Sequence, residues 1–232
     1  MKKNKYIVEN HTINSKNPFV RLSHRNRFKK SAALVSRLMN QGRLLDYGCG
    51  AGIFISHLLK TKYNNVFGYE PFLNRLCQPD LPVYDDINII KSFAPFNIIT
   101  ILEVLEHLQD TEISNIINMC DELLAPNGVI LISVPIEIGP VVIFKEINRF
   151  RYSKKWKYKF LEFFKTCVLG IKADRVDPHL DFMEHKGFDF RELITYIRKL
   201  GWQVQLLEYG PIPVKCWYGN SQVYLKVSRI LI

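Results

Sequence analysis

Asp46, Gly48, Gly50 and Gly52 stand together in the run LLDYGCGAG, and residues of these types in this order suit a nucleotide-like ligand. Leu44 and Leu45 are the apolar end of a strand, and Asp46 sits at its carboxyl end. The glycines then let the backbone turn sharply and come close to a ligand, where a Cβ would obstruct it. The spacing is G-x-G-x-G. A dinucleotide fingerprint needs a third glycine one position later, where this chain has Ile53, and this argues against a nicotinamide ligand. A tight turn without a ligand is the plainer reading of the loop. Glu70 strengthens the other one: NVFGYEP (65–71) reads as a second strand ending in an acid, near the distance at which a carboxylate accepts ribose hydroxyls. Further along, FNIITILEVLEHL (96–108) is an apolar strand running into Glu103, Glu106 and His107. An imidazole beyond a strand end is a candidate general base near neutral pH. His185 is a second candidate and His179, within DPHLD, a weaker third. For His107 the alternative is a helix-terminal histidine that holds a loop.

These residues need an alternating framework to bring them together. A helix is expected over 24–40, with Phe28, Ala32, Val35, Leu38 and Met39 as its apolar stripe. Strands are expected at 43–47, 65–70, 83–85, 96–102 and 129–134, and helices at 51–61 and 111–124. Asp110 or Thr111 would cap the second helix. Residues 136–187 read as a helical insertion without a strand. HKGFDFRELITYIRKLGW then restores the pattern, with Asp189 as cap and Glu192 at the capping-box position. Strands at 202–208 and 222–230 finish the chain. Such alternation predicts an α/β fold with a mostly parallel sheet and helices on both faces.

From about Gly42 to Pro135 the order and spacing of these motifs resemble the class I S-adenosylmethionine-dependent methyltransferases. The nearest likeness is to their small-molecule branch, which carries an E-V-L-E-H segment after the fourth strand and an L-x-P-x-G turn before the fifth. Two departures stand out: Asn97 occupies a place where Asp is common, and the stretch between the second and fourth strands is short. The resemblance implies a Rossmann-like sheet and S-adenosylmethionine as cofactor. It sets Asp46, Gly48 and Gly50 at the methionine end, Glu70 on the ribose, and Asp85 or Asp86 near the adenine. Glu103 and Val104 would line the pocket, and Cys49, Gly52 and Pro71 complete the expected cofactor-binding set. Cys49 reads as a small packing residue rather than a nucleophile. No metal site is expected, since the five cysteines are scattered and form no C-x-x-C pair. The same scatter suggests a reduced, cytoplasmic setting, and no apolar signal segment follows the basic start.

A chain of 232 residues with 47% apolar content is expected to form one methyltransferase domain, with an N-terminal helical segment (1–42) and a lid-like insertion (136–187). Its net charge of +10 is unevenly spread. Residues 1–43 contain 11 Lys/Arg against one Glu, residues 44–144 have 4 basic against 12 acidic groups, and residues 145–172 have 9 against 2. Two basic segments thus flank an acidic cofactor half. Simple solvation explains this, or both segments face an anionic acceptor or surface. The second segment, RFRYSKKWKYKFLEFFKTCVLGIK (149–172), interleaves aromatics with Lys/Arg. It reads as a lid burying its aromatics, as a peripheral contact on the inner membrane face, or as a stacking surface for RNA. No N-P-P-Y-type segment of base-methylating enzymes is present, which argues against nucleic acid. The expected acceptor is a small molecule or a lipid- or glycan-linked group methylated on oxygen. The alternatives are an inactive binding protein on the same fold and an RNA methyltransferase.

Overall fold

The computed structural model describes residues 18–61, 63–72, 80–153, 156–175, 185–212 and 214–230. His179, Lys154 and Lys155 lie outside the described residues. The elements are α1 (Pro18–Leu38), β1 (Leu44–Tyr47), α2 (Ile53–Leu59), β2 (Val66–Tyr69), β3 (Val83–Tyr84), α3 (Ile87–Phe93), β4 (Phe96–Leu102) and α4 (Asp110–Leu123). After them come β5 (Leu124–Pro135), α5 (Val141–Ser153), α6 (Phe160–Phe164), α7 (Phe190–Lys199), β6 (Trp202–Gly210) and β7 (Gln222–Arg229). A 3-10 turn at Leu105–His107 follows β4, and a π-turn at Lys165–Leu169 continues α6.

The seven strands form one sheet in the order β3-β2-β1-β4-β5-β7-β6. β1 to β5 are parallel, and β7 inserts antiparallel between β5 and β6. Alternation along each strand divides the core in two. Leu44, Ile98, Leu131 and Tyr224 pack on one face with Leu34 and Val35 of α1 and Phe54, Ile55 and Leu58 of α2. Leu45, Ile99, Ile130, Ile132 and Leu225 turn to the other face, against Ile113 and Ile117 of α4 and Phe190, Leu193 and Ile197 of α7. Both faces are therefore covered, as a mainly parallel sheet requires.

Several boundaries differ from the sequence expectation for local reasons. α3 was not expected, since INIIKSF is only seven residues long and its apolar content gives a weak helical pattern. Asp86 is its N-cap, accepting from Asn88 N–H at 2.8 Å. α4 is preceded by Gln109, whose N–H donates to Glu112 at 2.8 Å, so neither Asp110 nor Thr111 caps it. Asp189 does cap α7, but its carboxylate takes the Arg191 N–H and guanidinium, while Glu192 pairs with Lys172. The Pro126-Asn127-Gly128 turn lies inside the span of β5, and Arg229 wraps it by donating to Ala125 O at 2.8 Å.

The insertion is joined to the sheet through buried charge. Glu137, just past β5, and Glu146, on α5, are each 1% exposed. Lys145 donates to Glu137 at 2.8 Å, and Arg149 donates to both Glu137 oxygens at 3.1 Å and to Glu146 at 2.7 Å. Burial alone would push the Glu137 carboxyl up, but the adjacent Lys145 and Arg149 outweigh it and hold it at about 2. Because this value is depressed, the stabilisation is complete above the ordinary carboxyl range near 4.5 and is lost as pH falls towards about 2. Glu137→Ala should cost about 1.5–3 kcal/mol in urea unfolding at neutral pH, by removing the charged acceptor that Lys145 and Arg149 share. The parent should lose stability across that acid window, and the variant should lose less.

Candidate active site

In an open parallel sheet, ligands sit beyond the carboxyl ends of the strands. The glycine loop follows β1, Glu70 follows β2, and Glu103 with the 3-10 turn follows β4, so all of them share this rim.

Gly48, Gly50 and Gly52 have φ of 75°, 55° and 72°, the left-handed region that side chains disfavour. Tyr69 O accepts from Gly48 N–H at 2.8 Å and from Cys49 N–H at 3.2 Å, pinning the loop to the end of β2. Glu70 is 1% exposed. One of its oxygens accepts from Gly50 N–H at 2.9 Å and the other from Phe72 N–H at 3.3 Å. A Cβ on Gly48 would lie 2.7 Å from Val104 Cγ2, so Val104 closes that side of the loop. Cys49 Sγ fills the space above Gly68, where a Cβ would approach it to 2.7 Å, and is buried as a packing group. Asp46 is buried behind the loop, where its carboxylate accepts from the Thr100 hydroxyl at 2.6 Å. Pro71 is exposed beside Glu70, and Asp85 and Asp86 are exposed at the start of α3. Asp86 is already engaged as the α3 cap.

At the end of β4 the chain passes through Glu103, a non-glycine residue at φ 56°. Strain of this kind costs about 1–3 kcal/mol and persists where neighbours fix it. Gln222 of β7 donates to one Glu103 oxygen at 2.7 Å, and Arg27 of α1 reaches the other at 3.3 Å. The Arg27 contact sets the N-terminal helix against this rim.

The two candidate imidazoles meet. His107 and His185 have ring centroids 4.7 Å apart, although 185 lies beyond the whole insertion. Glu106 is 2% exposed and joins them: one ligand atom from each of the three lies within 4.8 Å of the others. His185 Nδ1 is buried and makes no hydrogen bond. Burial lowers the His185 pKa from its ordinary value, against the raising influence of Glu137 and Glu103. Its imidazole is held towards the neutral form. Sequence reasoning named both histidines but not Glu106 as their partner, though the E-x-x-E-H spacing carries Glu106 and His107 onto one 3-10 turn. Gln222 and Arg27 carried no sequence signal for their contacts with Glu103.

A glycine loop braced by a buried acid, facing an acid–histidine rim, on a sheet with an antiparallel seventh strand, defines a class I methyltransferase fold. Residues 23–169 match the family model described as a methyltransferase domain, and the chain belongs to that family. No curated protein matches the sequence. A S-adenosylmethionine-dependent methyltransferase from Archaeoglobus fulgidus superposes with a TM-score of 0.56 at 13% identity, covering 97% of this chain and 99% of the other. The magnesium protoporphyrin IX methyltransferase of Synechocystis PCC 6803 with bound SAH gives 0.53 at 14% identity, covering 98% and 100%. The small RNA methyltransferase HEN1 gives 0.53 at 15%, over 89% of this chain and 25% of the other. The cofactor is S-adenosylmethionine. The chain's residues fit it: the loop has no Cβ at the three left-handed positions, and a buried carboxylate stands at the second strand end.

Glu70→Ala should weaken S-adenosylmethionine binding about ten- to a hundredfold in calorimetry, the loss of a charged acceptor worth roughly 1.5–3 kcal/mol. Gly48→Ala should weaken it at least as much, because the new methyl meets Val104 in a backbone conformation that alanine avoids. Unchanged affinity in either variant contradicts this placement.

Proposed function

We propose that the protein O-methylates a small-molecule or lipid- or glycan-linked acceptor, and that this acceptor is anionic or presented on an anionic membrane surface. Glu70 would hold the ribose of S-adenosylmethionine and the Gly48–Gly52 loop its methionine end, with Asp85 the remaining acid for the adenine. When bound, the cofactor supplies a methyl group on a sulfonium whose departing thioether needs no proton. The chain's own work is therefore positioning and, for a hydroxyl acceptor, removal of one proton. The His107–His185 pair would take the hydroxyl proton as the acceptor oxygen attacks the methyl group, the thioether being released neutral.

The meeting of His107 and His185 at the β4 rim is the observation that carries the oxygen-acceptor reading. His107→Ala or His185→Ala should lower kcat by about 10²–10⁴ with S-adenosylmethionine affinity nearly unchanged. If neither variant slows turnover, the acceptor proton leaves elsewhere or the acceptor carries none.

The membrane part of the proposal rests on the insertion's surface. Part of the basic excess is consumed internally: Lys145 and Arg149 serve Glu137, and in the N-terminal segment Lys30 and Arg37 serve Glu208. Arg151, Lys159 and Lys165 are exposed, next in sequence to apolar side chains that are also exposed. Phe160 is 87% exposed, Phe144 73% and Leu161 62%. Tyr158 and Phe163 pack inside the insertion, and Phe160, Phe144 and Leu161 stay on its outside. Among the described residues no helix is long and apolar enough to cross a membrane. The protein should co-sediment with phosphatidylglycerol vesicles at low salt, release at high salt, and ignore phosphatidylcholine, since exposed attraction is screened within about 8 Å at physiological ionic strength. Phe160→Ser with Lys165→Gln should reduce this binding. Indifference to lipid charge, or preference for an RNA oligonucleotide over vesicles, contradicts it.

A further inference from the structure

We infer that Glu106, His107 and His185 form a binding site for one divalent first-row cation, which would bind the acceptor's oxygen at its open positions. The inference rests on the oxygen-acceptor reading above and deepens it: in the apo site the imidazoles take the acceptor proton, and with the cation bound they hold it while the proton of the bound hydroxyl passes to solvent water.

Three observations carry it. The donor set is one carboxylate and two imidazoles, the composition that suits Zn²⁺, Fe²⁺ or Mn²⁺ better than the oxygen-only preference of Mg²⁺. The geometry is close to closed. Bonds of about 2.0–2.2 Å place neighbouring ligand atoms roughly 3–3.5 Å apart around one ion. Here Glu106 Oε1 stands 3.8 Å from His107 Nε2, and all three ligand atoms lie within 4.8 Å of one another, so small side-chain rotations suffice. Lastly, the site is built inside the protein: Glu106 is 2% exposed, and His185 Nδ1 is buried with no hydrogen bond.

The neighbouring acid is not part of the set. Glu103 is held by Gln222 and Arg27, which turns its carboxylate to β7 and α1. Three protein ligands leave coordination positions open, the arrangement of a catalytic rather than a structural site. A cation there would lower the pKa of a bound acceptor hydroxyl and fix its orientation at the β4 rim. The acceptor class that fits is a hydroxyl, above all one with a second oxygen close enough to share the ion.

The experiment uses chelator-treated full-length protein and Mn²⁺ as probe. Calorimetry should give one site per chain, and pulsed electron paramagnetic resonance of the parent should show nitrogen couplings from two imidazoles. Glu106→Gln, His107→Ala and His185→Ala should each weaken Mn²⁺ binding about tenfold or more, while His57→Ala, outside the cluster, should not. The spectrum of the parent keeps the test valid if a variant fails to fold. Zn²⁺ should compete with Mn²⁺ for the site, and Mg²⁺ poorly. No binding of Mn²⁺ or Zn²⁺ to the parent, a spectrum without nitrogen coupling, or affinity unmoved by all three variants would overturn the inference. S-adenosylhomocysteine binding measured on the same sample separates the two readings: intact cofactor binding without metal binding removes the cation alone, and loss of both removes the site.

Discussion

A buried carboxylate costs several kcal/mol unless hydrogen bonds replace its water, and Glu70 meets that condition by taking the Gly50 and Phe72 N–H groups. The bond to Gly50 ties the end of β2 to the loop after β1, across strands that lie side by side in the sheet. It thereby fixes where the loop's backbone can approach a ligand. The same loop is bounded on its far side by Val104, which belongs to the β4 end, so three strand ends share one small volume. Everything the site does depends on these ends staying in register. Burial of Leu44, Leu45, Ile98 and Ile99 on the two faces of the sheet keeps them there.

Charge plays two separate roles in this chain. Some of it is structural: Glu137 with Lys145 and Arg149 anchors the insertion to the sheet, Arg27 steadies Glu103, and Lys30 with Arg37 joins α1 to β6 through Glu208. These pairs set the helix and the insertion against the rim that carries the chemistry. Arg151, Lys159 and Lys165, by contrast, lie on the insertion's surface next to exposed apolar side chains. A count of Lys and Arg along the sequence adds the two together, and only the contacts separate them.

The central half of the fold was legible because its strands are nearly continuous apolar runs: Phe96–Leu102 was read at its true limits. The glycine loop and Glu70 were also legible, since left-handed turns demand glycine and an acid at a strand end has few other uses. α3 was not, because seven residues are too few to show a period, and nothing in the spacing marks Asp86 as its N-cap. The Glu192 capping box failed because Arg191 competes for the Asp189 carboxylate, a choice local spacing does not reveal. The Glu106–His107–His185 cluster was seen only in fragments. Its third member arrives after the whole insertion, so its assembly is a property of the tertiary fold.

A crystal structure with S-adenosylhomocysteine tests the account most directly. The ribose hydroxyls should lie within hydrogen-bond distance of Glu70, the homocysteine end should run along Gly48 to Gly52, and the sulfur should face the Glu106–His107–His185 rim. A nucleoside bound away from Glu70, or a sulfur turned from that rim, would contradict it.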